Sequence, residues 1–347
     1  MPHKPELYPL RFDPIYKEKV WGGRTLARLG RNLPGSDDTP IGESWELADL
    51  AQTSASGGGG NPEHSIIANG PLQGRAINDI IHDYGSELMG SVAPSTEAGL
   101  PLLIKFLDAR ENLSVQVHPS PSYAAQHPDA HLKSEAWYVL DAEPGAAIYK
   151  GVVEGTTPER LRQAIEQNHV EDLMIKVPVK PGDCHYLPSG TCHALGQGVL
   201  VAEVQTPSDT TFRVYDWGRT NRELHIDQAL DCIHYGPAET TRYERSAPDV
   251  KPGTASTHRL VSCEHFGIDR VHAPAGFEDS TAETNPTIWI FLKGSGRFEI
   301  PGFPPDPFTA GQTWLIPPDL GDGWAMVEQE ATWLEVTFGK TEPVRVV

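Results

Sequence analysis

The sequence predicts a mainly β protein built from two β-barrels, the first of which carries helical insertions. The 347 residues include 33 glycines and 31 prolines, and only 22% of them are charged, a composition that favours many short strands joined by turns. A chain of this length exceeds what one hydrophobic core usually serves, so we expect two cores. Helical periodicity of apolar residues is confined to a few short stretches.

The first helical stretch lies in the N-terminal third of the chain. Apolar residues recur there at helical spacing, at Ile77, Ile80, Ile81, Tyr84 and Leu88. We expect a helix that ends near residue 89 and covers one side of the first barrel. Residues 100–106 and 113–118 are predicted strands, and the proline at position 119 ends the second of them.

The middle of the first barrel combines strands with two further helices. Residues 135–140 and 146–150 are predicted to form a hairpin around the turn Glu143-Pro-Gly145. Thr157 and Pro158 predict a helix start, as the N-cap and the first helical residue. A last helical pattern at residues 226–233 closes this part of the chain.

The most specific pattern is Gly182-Asp-Cys-His-Tyr-Leu-Pro-Ser-Gly-Thr-Cys-His193. Five residues separate Gly182 from Pro188, one separates Pro188 from Gly190, and two precede His193. This spacing resembles the second motif of the cupin barrel at every fixed position. The fold class that we predict is therefore mainly β, with two cupin-type β-barrels (jelly rolls), the first carrying helical insertions.

Four side chains of the first barrel can converge on a single divalent metal ion. Gln116 and His118 are two residues apart, so the two-residue period of a strand directs both side chains to one face. Glu135 and His193 each stand where a predicted strand meets a loop, which is a common place for a site. Their nitrogen and oxygen donors suit Zn²⁺, and Mn²⁺, Fe²⁺ or Co²⁺ can occupy the same donors.

Cysteine ligation is an alternative at the same loop. The four cysteines form no Cys-x-x-Cys pair, and in a reducing compartment they remain thiols. Cys184 and Cys192 flank the metal-binding loop, and thiolate ligation of zinc is chemically reasonable there. Buried thiols are more often inert packing groups, so we favour the nitrogen and oxygen donors.

Several motifs together resemble the type I phosphomannose isomerases. The first cupin motif normally begins with His-x-His, and Gln116 replaces the first of these histidines. Glutamine in this place, followed by His118-Pro and by Lys133-Ser-Glu-Ala-Trp137, is similar to that family, whose zinc is held by Gln, His, Glu and His. Lys19-Val-Trp-Gly-Gly23 and Gly42-Glu-Ser-Trp-Glu46 resemble its N-terminal signatures, and the resemblance covers nearly the whole chain in order.

The resemblance implies a zinc-dependent isomerase, with one Zn²⁺ per chain, that interconverts D-mannose 6-phosphate and D-fructose 6-phosphate through a cis-enediol intermediate. It implies that Arg213 is the catalytic arginine and that Glu203 is an inward carboxylate able to carry a proton. Lys133 lies two residues before Glu135, so on a strand it faces the same way, towards the ion. One position departs from some relatives, because Leu132 replaces a histidine considered there for proton transfer.

Each of these catalytic assignments has a structural alternative. Arg213 can form a salt bridge with Asp209 or Asp216, since an unpaired guanidinium is costly to bury. Glu203 can be the ionic partner of that arginine or of Lys133. A lysine is most often a solvated surface residue.

The C-terminal part repeats the barrel pattern without the metal ligands. Gly311 and Pro317 keep the five-residue spacing, but Asp319 and Asp322 stand where the motif has glycine and histidine. A polar stretch with proline and glycine separates the two parts, as is typical of a linker. We expect three regions, which are a catalytic metal-binding domain at 1–245, a linker at 246–257 and a metal-free cupin-like barrel at 258–347.

The charge of the chain excludes several partners. The formal net charge is −19, with 47 acidic against 28 basic residues, which opposes binding to nucleic acid or to an anionic membrane. No apolar run approaches the ~20 residues that span a bilayer, and the N-terminus lacks a signal-peptide pattern, so we expect a cytoplasmic protein. The same charge opposes a sugar phosphate, so that partner requires local cations or a metal ion.

Two other functional classes fit a metal-binding cupin. A metal-dependent oxygenase would use Fe²⁺ and an open face for O₂. A sugar-binding or regulatory module would keep the barrel but has no need for Lys133 and Arg213 around a complete set of metal ligands. We therefore favour the isomerase, and turnover of mannose 6-phosphate separates it from both alternatives.

Overall fold

The chain is described by a computed structural model over residues 6–53, 60–95, 99–238, 240, 251–281 and 283–339. These residues form 21 β-strands, five α-helices and two 3₁₀ helices. The prediction of a mainly β protein is confirmed.

The elements fall into two groups along the chain. The strands before residue 216 are β1 (Leu10–Arg11), β2 (Ile15–Gly23), β3 (Ile41–Leu47), β4 (Asp49–Leu50), β5 (Glu63–His64), β6 (Leu103–Ala109), β7 (Val115–Val117), β8 (Glu135–Ala142), β9 (Ala147–Val152), β10 (Met174–Pro178), β11 (Cys184–Leu187), β12 (His193–Leu195), β13 (Val199–Gln205) and β14 (Phe212–Tyr215). The later strands are β15 (Ser256–Ser262), β16 (Phe266–Ala273), β17 (Glu278–Ser280), β18 (Thr287–Glu299), β19 (Asp306–Thr309), β20 (Thr313–Ile316) and β21 (Trp324–Phe338). The helices are α1 (Ile77–Tyr84), α2 (Ser86–Met89), α3 (Pro121–Ala124), α4 (Pro158–Glu166) and α5 (Ile226–Cys232), with 3₁₀ helices at Thr25–Leu29 and Val170–Leu173.

Three sheets contain most of the strands. The central sheet has the order β11-β8-β13-β6-β2-β3, and the outer sheet has the order β10-β9-β12-β7-β14. The C-terminal sheet has the order β1-β20-β18-β21-β16-β15, with β17 paired to β21 and β19 paired to β18. In the described part of the chain, the end strands of these sheets do not pair with each other, so each sheet is open and not a closed barrel.

The predicted hairpin of residues 135–140 and 146–150 is wrong. The chain does turn there, and the amide of Ala146 donates to the carbonyl of Glu143 at 3.0 Å. However, β8 pairs with β11 and β13 in the central sheet, whereas β9 pairs with β10 and β12 in the outer sheet. The turn residues specify that the chain reverses, but they do not specify which strands pair afterwards.

The helices lie where their periodicity placed them. The single helix expected to reach residue 89 is divided at Gly85, whose φ of 51° suits glycine and few other residues. Thr157 caps α4 as predicted, because its hydroxyl accepts from the amide of Arg160 at 3.2 Å. None of the described helices is long and apolar enough to cross a membrane.

The central and C-terminal sheets share one hydrophobic core. A continuous apolar cluster includes Leu10 and Phe106 together with Leu260 and Phe266. The N-terminal strand β1 pairs with β20 and so completes the C-terminal sheet. Part of the predicted linker at 246–257 lies outside the described residues, and β15 begins at Ser256.

A buried ion pair also joins these two sheets. Arg31 donates to both carboxylate oxygens of Glu46, at 2.8 and 2.6 Å, and to the backbone carbonyl of Gly311. Only 7% and 3% of the two side chains are exposed, so neither charge is solvated if its partner is removed. A buried charge that loses its partner is strongly destabilising.

Arg31→Ala is therefore expected to lower the free energy of unfolding by about 3–5 kcal/mol, because Glu46 is left buried without its counter-charge. The matched control is Arg28→Ala, which removes a pair with Asp141 whose side chains are 74% and 48% exposed. That change is expected to cost less than about 1 kcal/mol. Denaturant unfolding of the two variants measures the difference, and equal losses would contradict this role of Arg31.

Candidate active site

Three of the four predicted metal ligands, His118, Glu135 and His193, have donor atoms that lie within 4.8 Å of one another. His118 follows β7 directly, Glu135 begins β8, and His193 begins β12. Gln116 is the cross-strand neighbour of His193 in the outer sheet, and their Nε2 atoms are 3.2 Å apart. The four residues singled out by spacing therefore lie together.

Both imidazoles direct a lone pair towards the shared centre. His118 Nδ1 lies 2.9 Å from the carbonyl oxygen of Thr210, and His193 Nδ1 lies 2.8 Å from that of Thr191. A carbonyl oxygen only accepts, so each Nδ1 carries the proton and each Nε2 of a neutral ring keeps its lone pair. Burial, with help from the Lys133 cation, lowers the pKa of His118 to about 3, which keeps that ring neutral.

Glu135 is the anionic member of the cluster. Its side chain is fully buried, and Oε1 has no hydrogen-bond partner among the described residues. Oε1 lies 3.1 Å from His193 Nε2, and Oε2 lies 3.4 Å from His118 Nε2. Burial would raise the pKa of Glu135, but the adjacent Lys133 ammonium holds it well below its usual range.

The donor set fits a divalent metal ion. Two lone pairs and an ionised carboxylate facing one another repel unless positive charge lies between them, and the Lys133 ammonium, which contacts Glu135 Oε2 and His118 Nε2, supplies part of that charge. A glutamine amide can exchange its nitrogen and oxygen by a half-turn, so Gln116 can offer its oxygen as a fourth ligand. The alternative thiolate ligands do not join this cluster, because among the described residues only His118, Glu135 and His193 bring donor atoms together here, and the Cys192 thiol instead contacts Met174 Sδ at 3.7 Å.

A cleft beside the cluster collects positive charge. Five cationic and three acidic side chains line this cleft. The cations are Lys19, Lys105, Lys133, Arg213 and Arg222, and the acids are Glu43, Glu203 and Asp209. The cleft thus reverses locally the net charge of −19 that the whole chain carries. This is the local cation cluster that a sugar phosphate requires.

Lys133 lies against two of the predicted metal ligands. Its Nζ is 2.5 Å from Glu135 Oε2 and 3.2 Å from His118 Nε2. Burial would lower the pKa of Lys133, but the carboxylates of Glu135 and Glu203 raise it, so the amine stays charged. Lys133 precedes β8, so a loop and not the strand alternation assumed from the sequence brings it there.

Glu203 points into the cleft from β13. Its Oε2 accepts from Trp137 Nε1 at 2.8 Å, and its Oε1 lies 3.5 Å from Lys105 Nζ. Burial and the nearby charge of Glu135 raise the pKa of Glu203. A carboxylate whose pKa is raised towards neutrality is suited to proton transfer.

Arg213 enters the cleft from β14. Its Nη1 donates to the carbonyl of Glu223 at 2.6 Å, and its Nε has no hydrogen-bond partner among the described residues. The carboxylate of Asp216, one of the alternative partners, accepts instead from Arg219 at 2.8 Å and from Arg222. Arg213 therefore keeps donors available to a ligand.

The sequence interpretation missed other charged residues of the cleft. Lys105 is 5% exposed and lies inside the apolar run 102–107. Lysine is rarely buried, so a lysine inside an apolar strand is a sequence signal for a functional residue. Glu43 lies 3.2 Å from Lys19. Although burial would raise its pKa, Lys19 and then Lys105 hold the pKa of Glu43 at about 2. No local sequence pattern indicates that Lys19, Glu43 and Lys105 lie close to one another in the fold.

Known proteins are similar to this chain over most of its length. A model of the catalytic domain of type I phosphomannose isomerase matches residues 10–149. A mannose-6-phosphate isomerase of Streptococcus mutans is 40% identical over 301 residues, which cover 84% of this chain and 87% of that protein. The chain belongs to the type I phosphomannose isomerase family. The mannose-6-phosphate isomerase ManA of Bacillus subtilis is 34% identical over 323 residues, covering 90% of this isomerase and 94% of ManA.

Solved structures agree with this assignment. The crystal structure of the Bacillus subtilis mannose 6-phosphate isomerase has a TM-score of 0.80 at 28% identity, and the match covers 96% of this chain and 100% of that one. A zinc-bound mannose 6-phosphate isomerase, 18% identical over 96% of this chain and 100% of that one, shares the fold with a TM-score of 0.70. The chain is thus an isomerase, and the oxygenase and binding-module alternatives lose their support.

His193→Ala is expected to purify without a bound transition metal, because it removes one of two imidazole lone pairs from the cluster. The control is His169→Ala, at a side chain that is 68% exposed. Elemental analysis of both proteins measures the metal per chain. Equal metal content in the two variants would place the ion elsewhere.

Proposed function

We propose that this isomerase interconverts D-mannose 6-phosphate and D-fructose 6-phosphate through a cis-enediol intermediate, with one Zn²⁺ per chain. The convergence of the His118, Glu135 and His193 donors beside a cation-rich cleft supports the proposal most directly. The names of the similar proteins from Streptococcus mutans and Bacillus subtilis supply the substrate.

Gln116, His118, Glu135 and His193 would hold the zinc ion. Two neutral imidazoles, an amide oxygen and a single carboxylate suit zinc and leave a net positive centre. When bound, zinc supplies a Lewis acid that polarises the substrate oxygens. The backbone carbonyls of Thr191 and Thr210 fix the orientation of the imidazoles by accepting from their Nδ1 atoms, as outer partners of metal ligands commonly do.

Glu203 is the group that moves the carbon-bound proton. Its carboxylate takes the proton from C2 of the open-chain aldose and returns it to C1, while a proton passes from the C2 hydroxyl to the C1 oxygen, so C1 becomes the alcohol and C2 the carbonyl. The raised pKa of Glu203 makes the protonated form accessible during the cycle. Trp137 holds one carboxylate oxygen and leaves the other to face the substrate.

Lys133 and Arg213 stabilise the negative charge that develops on the oxygens. Lys133 stays charged beside the ligands and can pass a proton between its ammonium and a substrate oxygen. The planar guanidinium of Arg213 offers paired donors to two oxygens at once. Lys105 and Arg222 add positive charge for the phosphate group.

Catalysis belongs to the region 1–245 in this proposal, and the region 258–347 binds no metal. All residues that line the cleft lie between Lys19 and Arg222. The central and outer sheets would correspond to the first cupin-type barrel with its helical insertions, and the C-terminal sheet to the second. Location in the cytoplasm remains a prediction from the sequence.

Arg213→Ala is expected to retain zinc and to lose about 10²–10³ in kcat, or about 3–4 kcal/mol of transition-state stabilisation. Arg213→Lys should rescue little, because an ammonium lacks the paired donors. The control is Arg162→Ala, at a side chain that is 46% exposed. Steady-state kinetics with mannose 6-phosphate decide how Arg213 acts. A rise in KM alone would indicate that it binds the phosphate in the ground state. Wild-type kinetics in Arg213→Ala would show that Arg213 does not belong to the site.

Glu203→Gln is expected to lower kcat by about 10²–10⁴ with zinc retained, because the amide keeps the bond from Trp137 but cannot accept the proton. In deuterated water, exchange of the C2 hydrogen of mannose 6-phosphate should fall with kcat. The control is Glu166→Gln, at an exposed residue of α4. Unchanged exchange in Glu203→Gln would assign the base to another residue.

A further inference from the structure

A second cavity, of about 610 Å³, lies between the central and C-terminal sheets. Side chains alternate along a strand. Phe106 therefore faces the opposite side of the central sheet from its neighbour Lys105, and Tyr138 the opposite side from its neighbour Trp137. Phe106 and Tyr138 line the second cavity, whereas Lys105 lines the cleft. The cavity is therefore separated from the active site by the central sheet.

The walls of this cavity combine apolar and cationic groups. The apolar side chains include Phe106, Tyr138, Leu140, Leu200, Phe291 and Leu292. Three cations line it, namely Arg28, Arg270 and Lys293, against the acids Asp141 and Glu330. One of the acids is already paired, since Asp141 accepts from Arg28 at 2.9 Å. Lys293 is exposed and makes no ion pair within the described part of the chain.

The His272 ring adds one nitrogen that has no hydrogen-bond partner among the described residues. The side chain is 3% exposed, and its Nδ1 lies 3.0 Å from the hydroxyl of Thr332. No described residue makes a hydrogen bond to its Nε2, and the carboxylate of Glu330 is 4.0 Å away. Buried polar atoms are almost always hydrogen-bonded, so an open polar atom on a cavity wall points to a ligand.

We propose that this cavity is a second ligand site that takes a small amphipathic anion. An aromatic or aliphatic body would pack on the central sheet, and a carboxylate, sulfonate or phosphate group would lie near Arg270 and Lys293. The volume falls in the range of about 300–1,000 Å³ that is typical of small-molecule sites. A neutral ligand would not neutralise the excess positive charge of the cavity lining, and a hydrophilic sugar phosphate would not pack against its apolar side chains. The site does not depend on the reaction proposed above.

The test uses anilinonaphthalene sulfonate, an amphipathic anion whose fluorescence rises in apolar surroundings, with the folded full-length protein. Saturable binding at a single site per chain is expected. Lys293→Ala should weaken binding about threefold and Lys293→Glu about tenfold, the second by reversing a charge at the cavity. Lys176→Glu, at an exposed position of β10, makes the same change in net charge and should bind as wild type does.

Competition separates this cavity from the active site. Fructose 6-phosphate at a saturating concentration should not displace the probe, and Arg213→Ala should bind it normally. Thermal unfolding verifies that the Lys293 variants are folded. Equal affinity in Lys293→Glu and wild type, displacement by fructose 6-phosphate, or binding that does not saturate would each overturn the proposal.

Discussion

The buried carboxylate of Glu135 is the group on which the rest of the active site depends. It lies within hydrogen-bonding distance of a lysine and close to two imidazole lone pairs, with one of its oxygens lacking a hydrogen bond among the described residues. An ionised group in such surroundings is stable only with positive charge around it. Lys133 supplies part of that charge, and the donor geometry is consistent with a metal ion supplying the remainder.

The strands that bear the active site also form the core. β6 and β13 direct Lys105 and Glu203 into the cleft and other side chains, such as Phe106 and Ala202, into the apolar cluster shared with the C-terminal sheet. The position of Lys105 and Glu203 thus depends on packing that the C-terminal part completes. The C-terminal sheet therefore supports the position of these two side chains through the shared core.

The sequence predicted which site residues converge better than it predicted which strands pair. The spacing around His118 and His193 predicted their convergence because strand period and a fixed turn length are local properties. The wrong hairpin at 143–145 and the overlooked pairing of β1 with β20 both concern non-local contacts, which one sequence does not specify. Lys105 and Glu43 were missed for the same reason, since each gains its partner across neighbouring strands.

The most direct measurement is isomerase activity with mannose 6-phosphate before and after removal of metal by a chelator. The metal-free protein is expected to stay folded but to turn over no substrate, and one equivalent of Zn²⁺ per chain is expected to restore activity. Elemental analysis of the same samples links activity to metal content. Full turnover by protein that contains no metal would contradict the central claim that the His118, Glu135 and His193 cluster acts through a bound ion.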